Sequence, residues 1–111
     1  MEILESPNGA VLVLKPLGAI LDSDVAGFRT RAFDAAHRSV GRMVVDASAI
    51  PFIDSAAIEA LVDLTEQLAE SGRALKLCAP TPTVRLILEL TGWVGSFEFF
   101  DDVPLAVRSF L

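Results

Sequence analysis

The sequence predicts an α/β domain: a mostly parallel, mixed sheet of four to five strands with an N-terminal antiparallel hairpin, packed by about four helices. Three observations carry this. Two short apolar runs lie on either side of Pro7-Asn8-Gly9, a turn sequence, and so read as a hairpin. After them, apolar runs of strand length alternate with segments whose apolar residues recur at helical spacing. Strands joined by helical crossovers lie parallel, which leaves the hairpin as the antiparallel edge. Finally, the chain has 111 residues and is 52% hydrophobic, enough for one core and too apolar for disorder. A single domain over residues 1–111 is expected, with no repeats, linkers or low-complexity segments.

Taken in order, Met1–Leu4 is the first strand and Ala10–Lys15 the second, which Pro16 should end. Leu17–Leu21 is an extended link. Asp22, Ser23 and Asp24 then offer caps for a helix that carries Val25, Phe28, Phe33 and Ala36 and stops at Gly41. Met43-Val44-Val45 is a short apolar strand closed by Asp46. A second helix begins at Asp54-Ser55, repeats Ile58, Leu61, Val62, Thr65, Leu68 and Ala69, and stops at Ser71-Gly72. Ala74–Ala79 is the next strand, Pro80–Thr83 a turn and cap, and Val84 to Leu90 a short helix stopped by Thr91-Gly92. Val94–Phe100 should hold the last strand. Asp101-Asp102 caps a closing helix in which Pro104 falls in the first turn, where its missing N–H costs little.

The chain is organised around Arg42 to Gly72, a buried strand, a loop and an amphipathic helix. Asp54-Ser55 stands at the helix start, where backbone N–H groups lack intrahelical acceptors. A cap is one role for this pair, since Asp and Ser are preferred there. A phosphate on Ser55 is another, because a helix N-terminus favours negative charge.

Composition narrows the function. The net charge of −6 and the scattering of nine Lys and Arg residues argue against nucleic acid as a partner. No apolar run approaches the length of a membrane span, so no membrane insertion is expected. The acidic start, Met-Glu-Ile-Leu-Glu-Ser, lacks the basic region of a secretory signal, and the lone Cys78 fits a reducing compartment; both point to the cytoplasm. Enzyme signatures are thin. There is no Gly-rich phosphate loop, and His37 has no Ser or Cys beside it in sequence. The single His and single Cys make no zinc site. Asp46 with Asp54 is a possible divalent-cation pair, but hard cations take more oxygens than two carboxylates supply. No cofactor, metal or catalytic residue is expected. Trp93, after the Thr91-Gly92 turn, reads as core, with partial exposure as the alternative.

The ordered motifs resemble one known family. A strand, then Pro51-Phe-Ile-Asp-Ser-Ala-Ala-Ile58, then an amphipathic helix and a Gly are similar to the signature of the STAS domain. This is the domain of bacterial anti-sigma factor antagonists. Ile53, Asp54, Ser55 and Ile58 match the pattern, and the later strand, Pro-x-Val-x-x-Leu helix and Thr-Gly match its second half. The chain departs at Ala56 and Ala57, where the family has a hydroxyl residue and Gly. It also departs at Gly18-Ala-Ile-Leu-Asp22, one residue longer than the family's Gly-x-Leu-Asp.

The resemblance implies a switch. The unmodified antagonist binds an anti-sigma factor with serine kinase activity, the kinase phosphorylates the Ser after the motif Asp, and a phosphatase reverses this. The implied acceptor is Ser55. The implied partner-binding residues are Asp22, Ser23 and Asp24 after the second strand, together with Phe52, Ile53, Asp54, Ser55, Ala56, Ala57 and Ile58. The same family includes cytoplasmic accessory subunits of ABC-type lipid transporters, often with a looser motif; that is the alternative function.

Overall fold

The computed structural model covers Met1–Leu111. Five strands form one sheet in the order β1-β2-β3-β4-β5: Glu2–Asn8, Val11–Leu17, Met43–Asp46, Leu75–Cys78 and Phe97–Phe100. β1 and β2 are antiparallel and the other pairings are parallel. Helices α1 (Asp22–Arg38), α2 (Ser55–Ala69), α3 (Pro82–Leu90) and α4 (Val103–Arg108) complete the alternation.

The alternation of side chains along each strand divides the core. Leu14, Met43, Val45, Leu75, Leu77 and Phe97 join the buried faces of α1, α2 and α3 in the main cluster. Val11, Val44 and Cys78 point the other way, onto Ala106 of α4. Three helices therefore cover one face, and the short α4 covers part of the other.

The hairpin is longer than the prolines suggested. β1 runs through Pro7 and β2 through Pro16. The register explains both. The Leu12 N–H donates across to the Arg42 carbonyl at 2.9 Å, so Leu12 faces β3 and its hairpin partner Pro7 faces outward from the sheet. Two alternations on, Pro16 also faces the β3 side, beyond Leu14 where that ladder ends. Neither proline removes a ladder bond. α1 guards the outer edge of β1: Arg31 donates to the Ile3 carbonyl at 3.3 Å, and Arg38 forks onto Glu5 at 2.7 and 3.1 Å. That fork holds the Glu5 carboxyl below its usual range. At the other end of the chain, Val94–Ser96 is a 3₁₀ turn rather than strand, and β5 begins at Phe97.

Two polar groups inside this frame do structural work that periodicity hides. Thr65 lies in the apolar stripe of α2, yet its hydroxyl accepts from the Leu75 N–H at 2.9 Å and donates to the Ser96 carbonyl at 2.8 Å. Replacing it by the near-isosteric Val strands both partners. Thr65→Val is expected to cost about 2 kcal/mol, read as a lower denaturant midpoint at unchanged slope. Lys76 is buried on the α4 face, paired with Glu98 at 2.8 Å and lying over the rings of Phe100 and Phe110.

Cys78 is fully buried, and burial together with the nearby Asp46 and Asp102 carboxylates pushes its thiol up to about 12. Only about one thiol in ten thousand is then ionised at pH 8. Native protein should leave a thiol reagent unconsumed at that pH, with one equivalent taken up on unfolding.

Candidate functional site: two loops joined at the start of α2

The β2–α1 and β3–α2 connections leave the carboxyl ends of neighbouring parallel strands and run side by side, a common position for sites in open α/β sheets. Gly18, at φ +120°, turns the chain out of β2 in a conformation that only glycine adopts readily. Its N–H donates to Ala49 at 3.1 Å, the Ile20 N–H donates to Phe52 at 3.1 Å, and the Asp54 N–H returns to Ile20 at 3.3 Å. Ile20 and Ile53 form a short parallel bridge and are fully buried. Their chain neighbours Leu21 and Phe52 point outward by the same alternation, 41% and 45% exposed. The pattern makes an anchored two-loop platform with two apolar side chains in solvent.

Asp54 ties this platform to both helices. One carboxylate oxygen, Oδ1, accepts from the Ala57 N–H at 3.0 Å and so caps α2. The other, Oδ2, accepts from the Asp22 N–H at 2.7 Å, at the first turn of α1. Leu21 is the N-cap position of α1 and has no hydrogen-bonding side chain, so Asp54 supplies the missing cap from 32 residues away. Asp24 closes the same turn by accepting from the Leu21 N–H at 3.1 Å. Asp46 accepts from the Ser48 N–H at 3.0 Å. The carboxylates proposed as a cation pair thus serve backbone amides, and no group of three or more potential metal ligands forms anywhere in the structure.

Ser55 is the first residue of α2, and its side chain is exposed with no hydrogen-bond partner in the protein. It borders a groove of about 270 Å³ lined by Ile58, Glu59, Val62, Thr91 and Trp93. Trp93 is 38% exposed there, so it is a groove wall rather than core. Thr81 braces the platform from a third loop: it caps α3 by accepting from Val84 and donates to the Ile50 carbonyl at 2.9 Å.

Of the residues expected on the contact surface, Asp22, Ser23, Phe52 and Ser55 are exposed, and Asp24, Asp54 and Ala56 are partly so. Ile53 and Ala57 correct that expectation: both are buried, at 1% and 0%, because they face the main cluster and hold the loop from below. Ile58 is 8% exposed and shows only its edge, in the groove. Leu21 lies within the Gly18 to Asp24 loop that the resemblance implies as contact surface; the residue the motif does not point to is Trp93, for which the position after Thr91-Gly92 is the hint.

Fold and site together define a small α/β domain that offers one exposed serine at a helix start, beside an apolar groove. The model of the STAS domain matches residues 3–106, and the chain belongs to that family. No curated protein matches the chain. Among solved structures, an anti-sigma factor antagonist (STAS) domain protein of Planctomyces limnophilus is similar, with TM-score 0.85 and 18% identity, covering 96% of each chain. An anti-sigma factor antagonist of Mycobacterium paratuberculosis superposes with TM-score 0.83 at 20% identity, covering 97% of this chain and 92% of its own. The Bacillus cell fate determinant SpoIIAA in its phosphorylated form gives TM-score 0.73 at 15% identity, covering 99% and 100%. At these identities the likeness is one of fold. No helix of the structure is long and apolar enough to cross a membrane.

Proposed function

We propose that this chain is an anti-sigma factor antagonist, a non-catalytic cytoplasmic protein that regulates transcription by binding an anti-sigma factor with serine kinase activity. Phosphorylation of Ser55 by that kinase ends the binding, and a phosphatase restores it. The observation that carries this reading is the setting of Ser55, exposed at the first turn of α2 and bordering the apolar groove walled by Trp93. A partner seated in that groove lies against Ser55.

The switch follows from charge and solvation. A phosphoserine carries about −1.5 to −2 at neutral pH. The N-terminal amides of α2 tolerate that charge, so the domain stays folded. A partner closing over it has to strip a dianion of water against Leu, Phe and Trp side chains, next to the Asp54 carboxylate. Fold similarity to SpoIIAA, whose structure is known in both unphosphorylated and phosphorylated forms, agrees with a switch that spares the fold. The change from the family's Gly to Ala57 does not narrow access to the serine, because the Ala57 methyl is buried in the core.

Intact-mass measurement of the protein from its own cells, with the peptide holding Ser55 fragmented, tests the proposal. One added phosphate on Ser55, missing in Ser55→Ala, is expected. An unmodified mass under every growth condition would overturn the phosphorylation switch and favour a constitutive module such as a lipid-transporter subunit.

A further inference from the structure

The end of the sheet opposite Ser55 holds a separate feature. A crevice of about 370 Å³ opens where the amino ends of the parallel strands meet the hairpin tip and α4. Val11, Val107 and Phe110 supply its apolar surface, Asn8 stands on the hairpin wall, and Arg42 and Arg108 line it. Its volume falls in the range of small-molecule sites, which pair an apolar surface with a few polar groups.

The charge around it is unbalanced. Arg29, Arg38, Lys76 and Arg85 are each held in an ion pair with Asp or Glu, whereas Lys15, Arg31, Arg42, Arg73 and Arg108 are in none; of these five, Arg42 and Arg108 line the crevice. Arg73 stands beside it. Its guanidinium stacks on Phe110, 5.5 Å from the ring centroid, and its Nη1 is buried without an acceptor. Lys76 lies over the same ring at 4.7 Å, but Glu98 balances it. Three uncompensated guanidiniums therefore gather at one end of a chain whose net charge is −6. Arg73 is partly buried and in no ion pair, so its charge adds to the field of the two arginines that line the crevice.

We infer that this crevice binds a small anionic amphiphile, with a carboxylate or phosphate group held between Arg42 and Arg108 and an apolar body laid against Val11, Val107 and Phe110. Arginine suits either head group, because its planar fork matches the oxygens of both. The site lies at the far end of the strands from Ser55, so it stands or falls independently of the phosphorylation switch.

The test is an amide NMR titration of the full chain with decanoate, decyl phosphate and decyltrimethylammonium, each below its micelle concentration. Saturable shifts at Asn8 to Val11 and Val107 to Leu111 with the two anions, and none there with the cation, are expected. The double variant Arg42→Gln/Arg108→Gln should weaken the anions at least about tenfold while its melting temperature stays at the wild-type value, since both side chains are exposed. Tighter binding of decyl phosphate would assign the head group as phosphate, and tighter binding of decanoate as carboxylate. Equal binding of the cation, undiminished binding by the double variant, shifts centred on the Trp93 groove, or no saturable binding would each overturn the inference.

Discussion

Asp54→Ala is expected to lower the melting temperature by roughly 8 °C. Two hydrogen bonds end on this carboxylate, and each belongs to a different helix. Bonds to a charged acceptor contribute about 1.5–3 kcal/mol apiece when buried, and an N-cap is worth about 0.5–2 kcal/mol. Asp54 is only partly buried, so about 2 kcal/mol for the pair is a fair figure. A domain of this size loses about 4 °C per kcal/mol. The substitution also uncouples the loops: the Asp22 amide, now without an acceptor, should exchange its hydrogen much faster than in wild type, while amides of β3 and β4 keep their protection. Asp54→Asn is the informative companion. Its carbonyl oxygen can still cap α2 through the Ala57 N–H, but its NH₂ cannot accept from Asp22. About half the loss in melting temperature should return, and the fast exchange at Asp22 should persist. A melting temperature for Asp54→Ala within about 2 °C of wild type would show that the bridge contributes nothing.

The second large effect is on binding. Phosphorylation of Ser55 is expected to weaken association with the anti-sigma factor kinase at least about 100-fold, or about 2.7 kcal/mol. The reasoning is the desolvation of a dianion against Leu21, Phe52 and the wall at Trp93, set beside the Asp54 charge. Ser55→Ala removes only an exposed hydroxyl and should bind within about twofold of wild type. Calorimetric titration of the three forms into one kinase preparation makes the comparison. Equal affinity of the phosphorylated and unmodified forms would sink the switch even if Ser55 proved to be modified.

Element type and order were legible because they rest on local signals. The 3.6-residue repeat from Ile58 to Leu68, the apolar runs at Met43 and Leu75, and the Asp102 cap need no knowledge of the rest of the chain. The hairpin exceeds what the sequence indicates because proline commonly ends a strand, and only the register shows that neither Pro7 nor Pro16 has a ladder partner on the side its nitrogen faces. Ser55 and its motif were visible as a pattern. The platform that presents them was not. Asp54 caps α1 across 32 residues of chain, Thr81 reaches Ile50 from another loop, and Thr65 hides two hydrogen bonds inside an apolar stripe. Such long-range polar contacts leave no periodicity. For the same reason the motif could not separate Phe52, which shows its ring to solvent, from Ile53, which turns into the core.

The place of Trp93 gives the molecule a built-in optical reporter. The chain holds one tryptophan and no tyrosine, so near-ultraviolet emission comes almost wholly from this indole. It stands part-exposed in the groove that Ser55 borders. Burial of the ring under a partner shifts its emission to the blue, and a phosphate placed nearby alters its intensity, with no label attached. The proposed capture and release of a partner at Ser55 can therefore be followed in real time on the unmodified sequence, provided the partner's own tryptophans are subtracted.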